Sequence, residues 1–285
     1  MGVPPDREAT NAIDLALSVW RQGDLALDET WFMHIGDPGT PLTPAAAGAE
    51  GDGVQMLTSE VEGLAVLTQT CDVVRSCVER PYIEVAPVVR VEDDGLLGRV
   101  RRGQVPAWAT VPALGADALA IHLDRVMTVE KSVVATWTRT SGCTNDVETR
   151  VFAQALARKR VRFAFPDDFT DLVAKLRGRL LGKHEKDSHE GRGLRALREI
   201  RVQATPDWEA SQLALFFWFV REDAHADFEG KQWGDLLDSW LALVHVAGRF
   251  TRVDGLACTL EEMNAAEYVA SDPLDLDHLS RGAIR

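Results

Sequence analysis

The sequence predicts an α+β fold in two domains: a β-rich region over residues 1–140, built as a small curved sheet or open barrel, and an α+β region over 141–285 with amphipathic helices on a small sheet. Three observations predict it. Between residues 54 and 137, short runs rich in valine and threonine alternate with breaks such as Asp93-Asp94-Gly95 and Arg102-Gly103, as in small, strongly curved sheets. Beyond Ser141-Gly142 the apolar spacing becomes that of a helix. The last third then runs strand, strand, helix, strand, an order that lays helices against one face of a sheet.

Taken in order, Ala12, Ile13, Ala16, Leu17 and Trp20 mark one face of a first helix, capped by Thr10 or Asn11 and broken at Gly23-Asp24. A strand is predicted over 31–35 and a loop or mobile flap over the Gly-, Pro- and Ala-rich stretch 36–53. Strands follow over 54–57, 64–70, 82–91, 99–102, 107–111, 118–122 and 133–137. Thr144, Asn145 and Asp146 offer caps for a helix over 146–159. After an extended segment at 161–165, Asp167 or Asp168 caps a helix that carries Phe169, Leu172, Val173, Leu176 and Leu180 and ends at Gly182. Residues 183–193 hold no large apolar side chain and are predicted as a solvated loop. Strands at 194–202 and 213–220 come next, the second uncharged and therefore covered on both faces. A helix over 232–245, with Trp233, Leu236, Leu237, Trp240, Leu241 and Val244 on its apolar face, precedes a strand at 249–258. Leu274-Asp275-Leu276-Asp277, in the acidic tail, is read as a segment that docks on the first half.

A formal net charge of -13 over 285 residues excludes a protein that coats nucleic acid or anionic membrane with its whole surface. Cys71, Cys77, Cys143 and Cys258 contain no C-x-x-C pair, so neither a zinc ribbon nor a disulfide framework is indicated. Residues 4–8, Pro-Pro-Asp-Arg-Glu, stand where a secretory leader has its apolar core. The longest apolar run, 213–220, falls well short of the roughly 20 residues of a membrane-crossing helix. A cytoplasmic location with no membrane partner, no metal and no cofactor is expected.

Two stretches carry candidate chemistry. In the first, an apolar strand over 63–67 runs into Thr68, Gln69, Thr70, Cys71 and Asp72. A thiolate at Cys71 is the candidate nucleophile of a hydrolase, with His122 (or His34) as base, Gln69 steadying an oxyanion and Asp72 beside them. The structural alternative makes Cys71 a small core filler, with Thr68 and Asp72 bonding backbone at a strand end. A zinc site from Cys71, Cys77, His122 and Cys143 lacks the close pair such sites show. A nuclease D…E-x-K pattern is absent, since Ala86 stands where the lysine belongs.

The second stretch is electrostatic. Residues 150–201 hold fourteen Lys and Arg against seven Asp and Glu, about +7 inside an acidic chain, which is the asymmetry a phosphate-binding face requires. Arg158, Lys159 and Arg160 close one helix, Lys175 and Arg179 share a face of the next, and Lys183 and Lys186 follow in the loop. The alternative is that these charges only complement helix C-termini and the acidic remainder of the chain. The leading reading is a binding or assembly component that holds nucleic acid or another polyanion, with the Cys71 hydrolase and a protein–protein scaffold as rivals.

Thr68-Gln69-Thr70-Cys71-Asp72, preceded by Trp20-Arg21-Gln22-Gly23-Asp24 and followed by the 271–277 segment Ser-Asp-Pro-Leu-Asp-Leu-Asp, resembles a group of bacterial proteins with a Thr-Gln-Thr/Ser-Cys-Asp signature. The resemblance covers most of the chain and implies a setting among bacterial conflict or phage-defence genes. It carries no activity and no functional residue with it.

Overall fold

A computed structural model describes residues 6–101, 103, 105–161, 163–184, 186–221 and 232–274. The chain divides into two compact units, 1–161 and 162–285, so the division falls later than the expected 140. The reason is helix 146–160, which caps itself with the Asn145 side chain and buries Phe152 and Leu156 in the core of the first unit.

The first unit is organised on strands β1 (Leu25–Ala26), β4 (Gly63–Val66), β5 (Tyr82–Arg90), β6 (Trp108–Ala109), β7 (Leu119–His122) and β8 (Met127–Glu130), with a separate ribbon of β2 (Trp31–Gly36) and β3 (Gln55–Glu60). The antiparallel sheet runs β1-β4-β5-β7-β6, with β8 also paired to β5, and does not close into a barrel. Strand alternation decides its two faces. Leu64, Val66, Ile83 and Val85 pack with Leu17 of α1 (Arg7–Leu17) and Val134 of α5 (Lys131–Val134). Ala65, Leu67, Ala86 and Val88 pack with Phe152 and Leu156 of α6 (Asp146–Arg160). Burial on both faces is why β4 reads as an unbroken apolar run.

Four local expectations change in this unit. Residues 99–101 belong to helix α4 (Asp94–Arg101), where Leu97 and Val100 are buried at helical spacing and the Asp93 carboxylate accepts the Leu96 amide. Residues 133–137, read as a strand, begin instead in the one-turn helix α5. The 36–53 stretch contains α2 (Pro44–Ala47), with Pro44 in its first turn and Thr43 accepting the Ala46 amide as cap. Beyond β4 the expected strand also stops early, because Thr70 starts the short helix α3 (Thr70–Val73).

The second unit is a four-stranded sheet in the order β11-β10-β9-β12, from β9 (Leu197–Thr205), β10 (Leu213–Arg221), β11 (Phe250–Cys258) and β12 (Asp272–Pro273). β9 pairs antiparallel with both neighbours, whereas β10 and β11 are parallel. Leu213, Leu215, Phe217 and Phe219 meet α7 (Asp167–Leu172), α8 (Ala174–His184), α9 (His189–Arg195) and α10 (Trp233–Leu241) through Phe169, Leu176, Leu194 and Trp240. Trp218 and Val220, on the opposite face, pack with Cys258 and Met263, so β10 is covered on both sides as its uncharged sequence requires. The helix expected to end at Gly182 breaks at Val173 and then continues to His184. The expected loop contains α9, where Ser188 caps the start and Gly191 lies so close to the Lys183 and Lys186 carbonyls that a Cβ would not fit. After α11 (Ala265–Ala270), Leu274 is buried in the second unit's own core rather than on the first half. Asp275, Leu276 and Asp277 lie outside the described residues, as do Arg102, Arg162 and residues 1–5. No described helix is long and apolar enough to cross a membrane.

Candidate functional site

The polar segment after β4 is mostly scaffolding. Thr68 Oγ1 accepts the Glu84 amide at 2.7 Å, and Thr70 Oγ1 accepts the Gln22 amide at 3.1 Å. The Gln22 side chain donates to the Leu67 carbonyl at 2.7 Å, while Gly23 donates to the Val66 carbonyl and Val66 to the Asp24 carbonyl. Residues 22–24 and 66–70 are therefore laced together. Asp24, 2% exposed, accepts Arg139 Nε at 2.6 Å and the Arg21 amide at 2.7 Å. Gly142 packs directly on the Gly23 backbone, where no Cβ fits.

Gln69 and Cys71 are left at the surface, with Cys71 Sγ 3.7 Å from Gln69 Oε1 and Asp72 3.8 Å from Arg80. The described structure does not bring His122 to this corner. Val88 pairs with Ile121, which sets His122 one step along β5, whereas Leu67 is hydrogen-bonded at Glu84. That offset is about 10 Å along the strand before the chain turns away into α3. His122 instead packs edge-on against Trp108 at 4.2 Å, and its Nδ1 is buried with no hydrogen-bond partner among the described residues. Burial, then the charges of Arg125 and Lys159, push its pKa down to about 4, so it is a weak base at neutral pH. Cys77, a few residues on, has its thiol pushed up by burial and by Asp14. Beside it the buried Lys131 ammonium donates to the Asp72 and Arg75 carbonyls at 2.8 and 2.6 Å and pins the turn after α3.

The basic residues separate into two sets. Arg158 donates to the Gly103 carbonyl, Lys159 pairs with Asp124, and Arg160 meets Glu84 at 2.6 Å, so the α6 triplet is engaged within the first unit. The other set lies on α8 and α9 of the second unit. Lys175, Arg179 and Lys183 follow one another at i, i+4 and i+8, a single ridge beside the buried Leu176 and Leu180. Arg179 Nε meets Glu190 at 2.8 Å and Arg192 meets Asp187 at 2.8 Å, while Arg195 holds the connecting turn through the His184 and Lys186 carbonyls. Among the described residues no carboxylate pairs with Lys175, Lys183 or Lys186. The segment 174–195 holds seven Lys and Arg against three Asp and Glu, a net of +4.

No family model, curated protein or solved structure matches this chain. Its chemistry is read from its own side chains.

A further site was not visible in the sequence. The β2–β3 ribbon, the start of α2 and the turn between β7 and β8 enclose a cleft of about 720 Å³ lined by Phe32, His34, Thr43, Ser59, Glu60 and Arg125, among others. Strand alternation puts Phe32 and His34 on one face of β2, and the register places Ser59 opposite Phe32. Arg125 stands out in the sequence only as one arginine in a four-residue turn, so no spacing signal marks it.

Proposed function

We propose that the chain is a binding component that holds nucleic acid through its phosphates, using the α8–α9 hairpin of the second unit. The observation that carries this reading is the ridge of Lys175 and Lys183, continued by Lys186, whose charges meet no carboxylate among the described residues. Lysine ammonium groups without local counter-ions are free to displace condensed cations from a phosphate backbone, which is the main source of sequence-independent affinity. The α6 triplet drops out of this interface because Gly103, Asp124 and Glu84 already occupy it. Cys71 plays no nucleophilic part in this reading, since its expected base lies elsewhere on the sheet. The bacterial phage-defence setting implied by the Thr-Gln-Thr-Cys-Asp signature belongs to the same proposal.

The test is retention of a labelled oligonucleotide across a salt series. Replacing Lys175, Lys183 and Lys186 together by Ala is expected to lower affinity and to flatten the log–log salt slope by roughly 2 to 3. The triple replacement of Arg158, Lys159 and Arg160 by Ala is expected to leave the slope unchanged. The reverse pattern, or no retention by the native protein at low salt, removes the proposal.

A further inference from the structure

We propose that the cleft between the β2–β3 ribbon and the β7–β8 turn binds a small molecule carrying a carboxylate or phosphate group, with Arg125 as the anion anchor. The site belongs to the first unit and is independent of the lysine ridge.

Arg125 is half-buried, and burial pushes its pKa below the usual arginine range. Its guanidinium lies 4.7 Å from the centre of the Phe32 ring, a cation–π contact that fixes the group against the cleft wall. Among the described residues no carboxylate pairs with it. Asp124, its neighbour in sequence, is taken by Lys159. A cation partly withdrawn from water and not neutralised is an incomplete arrangement, because the desolvation it suffers is normally offset by a paired anion. The planar fork of an arginine meets a carboxylate or phosphate through two parallel hydrogen bonds, so an anionic group on a ligand completes it.

The surrounding groups fit the same chemistry. His34 stacks on Phe32 with centroids 6.3 Å apart, and its Nε2 lies 3.4 Å from Thr43 Oγ1. Its Nδ1 is buried without a hydrogen-bond partner among the described residues, a polar atom that a ligand can satisfy. Ser59 and Thr43 add neutral hydroxyls, and Phe32 offers an apolar surface for the body of the ligand. A volume of about 720 Å³ suits a small organic molecule rather than a bare ion or a polymer. Glu60, exposed at the rim, opposes an anion.

The experiment is calorimetric titration of the full chain at constant ionic strength with inorganic phosphate and, separately, with succinate. Saturable binding of one or both is expected, and the preferred probe tells phosphate recognition from carboxylate recognition. Arg125→Gln is expected to weaken binding about tenfold or more, and Arg125→Lys to weaken it less, because the two parallel hydrogen bonds are lost while the charge stays. Removing Arg125 also uncovers Phe32, so Glu60→Gln provides an arm that leaves the fold alone; it is expected to tighten binding several-fold. Failure of both probes to saturate, or unchanged affinity in Arg125→Gln or Glu60→Gln, overturns the site. The Lys175, Lys183 and Lys186 triple variant is expected to bind both probes as the native chain does, whatever its oligonucleotide result. A parallel loss there moves the small anion to the hairpin and overturns the cleft.

Discussion

At the scale of single residues, His122 and Arg125 stand three positions apart in the chain and have opposite fates. His122, expected as a catalytic base, is a half-buried imidazole wedged against Trp108. Its low pKa has a stability consequence whose sign is fixed. Above about pH 6.5 neither the native nor the unfolded chain holds the proton. Between there and pH 4 the unfolded chain takes up a proton that the native state refuses, so stability falls with pH and the contribution levels off below about 4. The full loss is on the order of 3 kcal/mol. Urea midpoints at pH 7 and pH 4.5 are expected to lie closer together in His122→Phe than in the native protein; an equal gap would show that the acid sensitivity comes from carboxylates such as Asp14 and Asp168, which are also held low. Neither residue's role was legible beforehand. A histidine after an apolar strand looks the same whether its ring meets a thiol or a tryptophan, and an arginine in a turn gives no hint that Phe32 will lie beneath it.

Among the elements, those whose stabilisation is local were readable and those held by distant contacts were not. α6 has its cap, its acidic first turn and its basic last turn written into 145–160, and β10 has an uninterrupted apolar run. Even in α6 the pattern misleads in part, since Val147 and Val151 face solvent while Phe152 and Leu156 are buried. At α5 the sequence points to a strand because Val133 and Val134 favour one. Its single turn is held by Lys131, whose partners at Asp72 and Arg75 lie far back in the sequence. The same holds for the lacing of 20–24 with 66–70. Asp24→Asn keeps the shape there but sets an amide against donors that need an acceptor, and is expected to cost about 2 to 3 kcal/mol. Chemical denaturation measures this directly, and a change under about 0.5 kcal/mol would deny Asp24 its structural part.

For the whole molecule, each unit has a core of its own, in the second unit a large cluster from Phe169 to Leu274 and a smaller one of Trp218, Val220, Cys258 and Met263 on the opposite face of the sheet. A fragment of residues 162–285 is therefore expected to unfold cooperatively in urea and to retain salt-sensitive oligonucleotide binding. A fragment that folds but no longer binds would assign the contact to the first unit. The α+β class was legible because it depends on periodicities summed over many residues, whereas the cleft depends on which loops meet. The lacing at Gly23 and Val66 also bears on how genetics would read this chain. A saturation screen would score Trp20, Gly23, Asp24, Thr68 and Thr70 as indispensable, much as it scores a catalytic centre. Variants that fail through lost packing would be distinguished by their disappearance from the soluble extract.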